Sequence, residues 1–237
     1  MPDNIIRVGG VETFSTVDFP DKISAVVFMQ GCPWRCPFCH NSILQDIGYD
    51  NGFVWEKFVD FLKSRHNLLD GVVFSGGEPL VQKGLRQAIE QVKEIGYAIG
   101  LHTGGYNPEH LSLILPLLDW VGLDIKAPLN GEHYSKAIGI KADSQIEKIK
   151  QSLIVLVESG IDFECRTTCD PRFLDIEDIK NIADELSSLG VQKYFLQKYR
   201  PVERDKTTED SECEKFFLNK ELLQYLQSKF KVFDIRK

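Results

Sequence analysis

No stretch of the 237 residues approaches the ~20 uninterrupted apolar positions that a membrane-crossing helix needs. Nor is there a block of lysine or arginine: 28 basic residues are outnumbered by 35 acidic ones, for a net charge of −7. That balance argues against a nucleic-acid partner and equally against an anionic membrane surface. The opening residues, MPDNIIRVGG, lack a basic region followed by an apolar run, so no secretory signal is expected. Low-complexity tracts and Ser/Pro-rich linkers are missing too, and one domain over 1–237 is expected. Its core would cover about 16–201, followed by a C-terminal amphipathic helix and short strand over about 207–237. What remains is 43% hydrophobic and 27% charged, the make-up of an ordinary soluble globular protein. A cytoplasmic location is expected, where thiols stay reduced and clustered cysteines bind metal more often than they form bridges.

A helix–glycine–strand unit recurs. QAIEQVKEIGYAIGLHT runs from helical periodicity through Gly96 into a β-rich segment. IKQSLIVLVESGIDFECRTT does so through Gly160, and IADELSSLGVQKYFLQ through Gly190. Glycine just past a helix is the usual left-handed C-cap, and the recurrence predicts parallel strands with crossover helices. Strands are predicted near Ile23–Met29, Gly71–Phe74, Tyr97–His102, Trp120–Ile125, Asp162–Thr168 and Gln192–Leu196. Helices are predicted near Trp55–Arg65, Leu80–Ile95, Pro108–Leu117, Ser144–Glu158 and Ile176–Leu189, the last opened by a capping-box-like Asp175/Asp178 pair. About six βα units fall short of the eight that close a barrel. A partial, open βα barrel or a doubly wound sheet satisfies that count; the α/β fold expected is the open barrel, a parallel sheet with outer helices. The short strand of the tail is expected to cover an open edge.

Of the six cysteines, three lie within MQGCPWRCPFCHN, at the C-terminal end of the first predicted strand. Cys32, Cys36 and Cys39 are spaced C-x3-C-x2-C. Thiolates suit zinc or an iron–sulfur cluster. A structural zinc wants a fourth ligand, but His40 is awkwardly adjacent to Cys39, and Cys165, Cys169 and Cys213 form no second C-x2-C. The spacing favours iron–sulfur over zinc or an inert thiol group, and a cluster held by three cysteines leaves one iron open to a ligand. SGGEP, Ser75 to Pro79, follows the second predicted strand. Gly76 and Gly77 allow close approach to the backbone, and Glu78 supplies an acceptor for a cationic group. Barrel active sites lie at such strand ends, although a plain βα turn would read the same way.

The cysteine motif with Phe38 before its last cysteine, followed by GGEP, resembles the radical S-adenosylmethionine enzymes. The resemblance implies a four-iron four-sulfur cluster on Cys32, Cys36 and Cys39 whose fourth iron is chelated by S-adenosylmethionine. One electron from the cluster breaks the sulfonium bond, and the resulting 5′-deoxyadenosyl radical abstracts a hydrogen atom. STVDFPDKISAVVFMQGCPWRCPFCHN further resembles the opening of the glycyl-radical-enzyme activases, which are oxidoreductases. LLDGVVFSGGEPL, LDIKAP, FECRTT and YFLQKYRP are similar to the activating proteins of anaerobic ribonucleoside-triphosphate reductase. By that resemblance Phe38 and the backbone around His40 contact the adenine, and Gly76, Gly77 and Glu78 receive the methionine amino group. Thr103, Asp124 and Lys126, with Arg166, line the pocket near the methionine end. The implied partners are a glycyl radical enzyme, the reductase first, and an electron donor such as flavodoxin or ferredoxin.

Where relatives have Asp-Thr-Asn-Gly, this chain reads HTGG, His102 to Gly105. That Asp helps bind a monovalent cation in pyruvate formate-lyase activases; an imidazole is no direct replacement for it, so the cation is left open. His102 itself reads first as a satisfied polar residue. The usual Val-Asp-x-Pro-Gly has Asp21 in place of glycine, so that turn is expected to differ. Cys165, Cys169 and Cys213 are read as buried small hydrophobes. Alternatives are an activase of pyruvate formate-lyase or another glycyl radical enzyme, a small-molecule radical enzyme such as 7-carboxy-7-deazaguanine synthase, and a zinc-stabilised interaction module.

Overall fold

The structure, a computed structural model, describes residues 6–237; the first five residues, part of the segment read above for a signal, lie outside them. Eight strands run in chain order across one sheet: β1 (Val8–Ser15), β2 (Ser24–Met29), β3 (Gly71–Gly76), β4 (Ala98–Thr103), β5 (Trp120–Asp124), β6 (Phe163–Cys169), β7 (Lys193–Lys198) and β8 (Val232–Arg236). The helices are α1 (Trp55–Ser64), α2 (Leu85–Ile95), α3 (Pro108–Ile114), α4 (Gly131–Ile138), α5 (Asp143–Ser159), α6 (Ile176–Ser188), α7 (Asp210–Leu218) and α8 (Lys220–Lys229). The sheet is mostly parallel and open, with β1 and β8 at the ends of the strand order. No helix of the described residues is long and apolar enough to cross a membrane.

The chain divides into two compact units. One takes residues up to Pro33 with Asn41–Gly122, the other Trp34–His40 with Leu123–Lys237. In the first unit β1 pairs antiparallel with β2, while β2–β3 and β3–β4 are parallel. The central strands carry near-continuous apolar runs, SAVVFM and GVVFSG, as strands covered on both faces must. Phe19, from the Val-Asp-x-Pro segment, is buried with Val26, Val73 and Trp120, and its ring stacks on Trp120 at 5.7 Å. Gly71 in β3 makes room for it: a Cβ there would stand 2.9 Å from the Phe19 ring. α2 buries Leu85, Ala88, Ile89 and Val92, one face at helical spacing.

In the second unit β6, β7 and β8 are mutually parallel, so the tail strand does cover the edge of β7. α6 carries the capping box: Asp178 N–H donates to Asp175 Oδ1 at 2.9 Å and Asp175 N–H to Asp178 Oδ2 at 3.0 Å. The helices ahead of β4, β6 and β7 are followed by Gly96, Gly160 and Gly190 in the predicted left-handed conformation.

Several elements depart from expectation. The helix predicted from Leu80 starts only at Leu85. Pro79–Val81 forms a separate 3-10 turn capped by the Glu78 side chain, and the Gln82 carboxamide is drawn away to the Gln30 carbonyl. The tail is two helices rather than one, because the Asn219 side chain accepts from Leu222 N–H at 2.9 Å and starts a new helix there. β1 lies ahead of the first strand expected from the sequence and pairs antiparallel with β2. α4 was not anticipated: its eight residues between an Asn130 N-cap and Gly139 give too short a period to see.

Candidate functional site

In the first unit the ends of β2 and β3 meet through backbone. Gly77 N–H donates to the Met29 carbonyl and Glu78 N–H to the Gly31 carbonyl, both at 2.9 Å. A Cβ on Gly76 would sit 2.3 Å from Met29 N, and one on Gly77 2.2 Å from Gly31 O. The glycines thus admit the chain's own backbone, so that SGGEP locks against the residue preceding Cys32. Two further restraints fix Cys32: Gly31 N–H donates to Leu44 O at 2.7 Å and Cys32 N–H to Gln45 O at 3.3 Å. The buried Gln30 carboxamide donates to Ile43 O (3.2 Å) and Asp46 O (2.7 Å). Gln30 was not singled out in the sequence; its partners lie 13 and 16 residues away and nothing in its neighbourhood marks it.

Glu78 is 2% exposed. Its Oε1 accepts from Thr103 Oγ1–H at 2.6 Å and Leu80 N–H at 3.1 Å, and its Oε2 from Gly104 N–H at 2.8 Å. Glu78 and Thr103, both candidates from sequence, are therefore brought together. His102 uses both ring nitrogens. Nε2 lies 2.9 Å from the Asp18 carbonyl and so carries the hydrogen; Nδ1, 3.2 Å from Ser75 Oγ, accepts from the serine in the neutral ring. Its edge meets the Trp120 ring at 5.4 Å. The expectation of a satisfied polar residue holds. In the turn that follows Asp18, Asp21 has φ of 58°, a left-handed conformation that glycine adopts more readily than aspartate.

In the second unit Cys36 and Cys39 share a turn in which Cys39 N–H donates to Cys36 O at 3.1 Å. Burial pushes the Cys36 thiol up to about 11, against the opposing pull of Lys126. Such a thiol keeps its proton at neutral pH until a metal displaces it. Phe38 is buried beside Phe173, ring centroids 6.3 Å apart, and Lys126 Nζ stands 5.8 Å from the Phe38 ring and 5.7 Å from that of Trp34. His40 lies 6.4 Å from the Tyr199 ring; burial and then Arg200 lower its pKa.

Asp124, at the end of β5, gathers two cations. Arg166 Nε and Nη2 contact its Oδ1 at 2.9 and 2.8 Å, and Lys126 Nζ contacts Oδ2 at 3.5 Å. One carboxylate thus sits between a guanidinium and an ammonium, the charge-assisted contacts that fix long cationic side chains. Cys165, Cys169 and Cys213 are all fully buried, none of the six cysteines is in a disulfide, and burial drives the Cys165 and Cys169 thiols far up. These three are small hydrophobes, as expected.

Among the described residues no three His, Cys, Asp or Glu side chains converge on a point as ligands of one ion. A cluster places each thiolate on a different iron and asks for no such point. The donor set, three soft thiols on one short loop with Cys36 shielded from water, fits a cluster and lacks the fourth ligand of a structural zinc.

The sequence matches the radical SAM superfamily over residues 26–169, a superfamily whose members use a four-iron four-sulfur cluster and S-adenosylmethionine. A Methanocaldococcus jannaschii protein named for glycyl-radical enzyme activation is 31% identical over 224 residues, covering 90% of this chain and 87% of that one. The pyruvate formate-lyase-activating enzyme of Clostridium pasteurianum is 35% identical over 125 residues, 51% of this chain and 52% of the relative. Among solved structures, Streptococcus suis SuiB bound to S-adenosylmethionine has a TM-score of 0.68 at 15% identity, over 88% of this chain and 48% of SuiB, a likeness of fold alone. The chain belongs to the radical SAM superfamily and, within it, to the glycyl-radical enzyme activating enzymes.

Proposed function

We propose that this protein reductively cleaves S-adenosylmethionine and installs a glycyl radical on an anaerobic ribonucleoside-triphosphate reductase. The observation that carries the reading is the backbone lock of Gly77 and Glu78 onto Met29 and Gly31, which ties the residue bearing a buried carboxylate to the start of the cysteine loop. Cys32, Cys36 and Cys39 would hold the cluster. When bound, the cluster supplies the electron that splits the sulfonium into methionine and a 5′-deoxyadenosyl radical, which then takes a hydrogen atom from the partner's glycine.

The chain's own residues bind and orient. Glu78, with Gly76 and Gly77, receives the methionine amino group on a carboxylate held by Thr103, Leu80 and Gly104. Thr103 orients that carboxylate. Thr103, Asp124, Lys126 and Arg166 line the methionine end, while Phe38 and the backbone near His40 flank the adenine. Residues 1–237 are read as one functional domain, served by an electron donor such as flavodoxin or ferredoxin.

The reductase is ranked first because LDIKAP, RTT and LQKYRP resemble reductase activators. The second reading, pyruvate formate-lyase as target, is favoured by the identity to the Clostridium pasteurianum enzyme. Anaerobic incubation with S-adenosylmethionine, reductant and each candidate partner separates them through 5′-deoxyadenosine, measured by chromatography. Formation that rises with added reductase and not with lyase is expected. The reverse would reassign the target, and consumption of a small purine precursor instead would remove the activase reading.

A further inference from the structure

Arg204 lies 168 residues from Cys36 in sequence, yet its guanidinium closes on the cysteine loop. Nη2 donates to the Cys36 carbonyl and to the Pro37 carbonyl, each at 2.8 Å, and Nε donates to Pro37 O at 3.0 Å. Two consecutive carbonyls between the second and third cysteines are thus gripped by one planar fork, which a lysine could not reproduce.

The arginine does not reach there by the freedom of a loose loop. Its neighbour Asp205 has a side chain 1% exposed. Asp205 Oδ1 accepts from the Thr207 and Thr208 amides at 3.1 and 3.2 Å and from Thr207 Oγ1–H at 3.1 Å. Its Oδ2 accepts from Tyr199 Oη–H at 2.8 Å and meets Arg172 Nη1 at 3.0 Å. Arg172 in turn grips Asp170 and donates to Tyr199 Oη at 2.8 Å. An ion-pair network with two buried carboxylates and a half-buried Arg172 therefore sets the turn that presents Arg204.

We propose that Arg204 is a positioning residue for the cysteine loop, holding the Cys36 and Pro37 carbonyls and placing a fixed positive charge beside the cluster those cysteines would bind. The inference rests on the cluster reading above. Hydrogen bonding and local charge are the levers by which a protein sets a cluster's potential. A cation next to a thiolate-bound cluster favours the reduced, more negative state, so its removal moves the midpoint potential downward. Loss of the fork also frees the loop backbone that carries two of the three ligands.

The test uses anaerobically reconstituted full-length protein and three variants: Arg204→Met, Arg204→Lys and, as a control for net charge, the exposed Lys206→Met. The readouts are the cluster's midpoint potential by redox titration and the rate of iron release to a chelator. Arg204→Met is expected to lower the potential and to release iron on the order of tenfold faster, the factor for losing one net charge-assisted hydrogen bond. Arg204→Lys keeps the charge and loses the fork, so its potential stays near that of the unaltered protein while its iron release is faster. Lys206→Met leaves both readouts unchanged. Arg204→Met with unchanged potential and unchanged release would overturn the inference, as would a fall in potential equally large in Lys206→Met. Failure of the unaltered protein to take up iron would instead defeat the cluster reading itself, and this inference with it.

Discussion

Glu78 is held by two backbone amides and one hydroxyl, whereas Asp124 is held by the guanidinium of Arg166 and the ammonium of Lys126. Around Glu78 the donors come from residues whose positions are set by a strand end and a turn, so the carboxylate is oriented by the fold of the chain. Around Asp124 the donors sit on long side chains, of which Lys126 also rests near the Trp34 and Phe38 rings. The first arrangement is set by backbone, the second by side chains that must themselves be packed, as Arg166 is.

The contrast can be broken in order of expected effect. Substituting Ala for Cys32, Cys36 or Cys39 removes one of three thiolates, and iron after anaerobic reconstitution should fall from about four per chain to near none. Retention of full iron by any of these variants would take that cysteine out of the ligand set. Gly77→Ala comes next. Its Cβ would enter the Gly31 carbonyl at 2.2 Å, a backbone clash no rotamer relieves, and the expected loss is about 3 kcal/mol or more by denaturant unfolding. Gly10→Ala, with nothing within 4 Å of the new carbon, should be near neutral.

Glu78→Gln leaves an amide NH2 facing one of three donors. It should cost about 1–3 kcal/mol of stability and weaken S-adenosylmethionine binding on the order of tenfold to a hundredfold by calorimetry. Arg166→Met should cost less stability, about 1–2 kcal/mol, because Lys126 remains beside Asp124 and the carboxylate is partly solvated. Equal losses from the two would show that the backbone-held region is no stiffer than the side-chain-held one. The smallest effect is expected for Asp21→Gly. It relieves a left-handed aspartate while loosening the unfolded chain, and the two nearly cancel, leaving a change within about 1 kcal/mol.

The same contrast explains what could be read from the sequence. Strands β2 to β7 and helices such as α6 announce themselves through apolar runs, Gly caps and the Asp175/Asp178 pair, all local signals. The C-x3-C-x2-C loop and SGGEP are likewise contiguous, and their place at strand ends follows from the helix–glycine–strand pattern. The reason for Gly76 and Gly77 was half visible. Close approach was legible, but its object is the backbone of Met29 and Gly31, and nothing in SGGEP points to those residues. Gln30, Arg172, Asp205 and Arg204 were illegible for a different reason. Their partners are far along the chain, and an isolated Arg or Gln on a loop looks like any solvated side chain until the fold brings its acceptors to it. Asp21 shows another limit: the replaced glycine is visible in the sequence, but that the aspartate stands at a left-handed φ of 58° is not.

The central claim is that this chain makes a radical on a protein glycine, and electron paramagnetic resonance tests it most directly. The protein, reconstituted and reduced without oxygen, would be mixed with S-adenosylmethionine and an anaerobic ribonucleoside-triphosphate reductase, and in parallel with pyruvate formate-lyase. The account expects a glycyl doublet on the reductase, absent when Cys36 is replaced by Ala and absent with the lyase. A doublet on the lyase alone would move the target, and no doublet on any glycyl radical enzyme, despite an intact cluster and bound S-adenosylmethionine, would contradict the account.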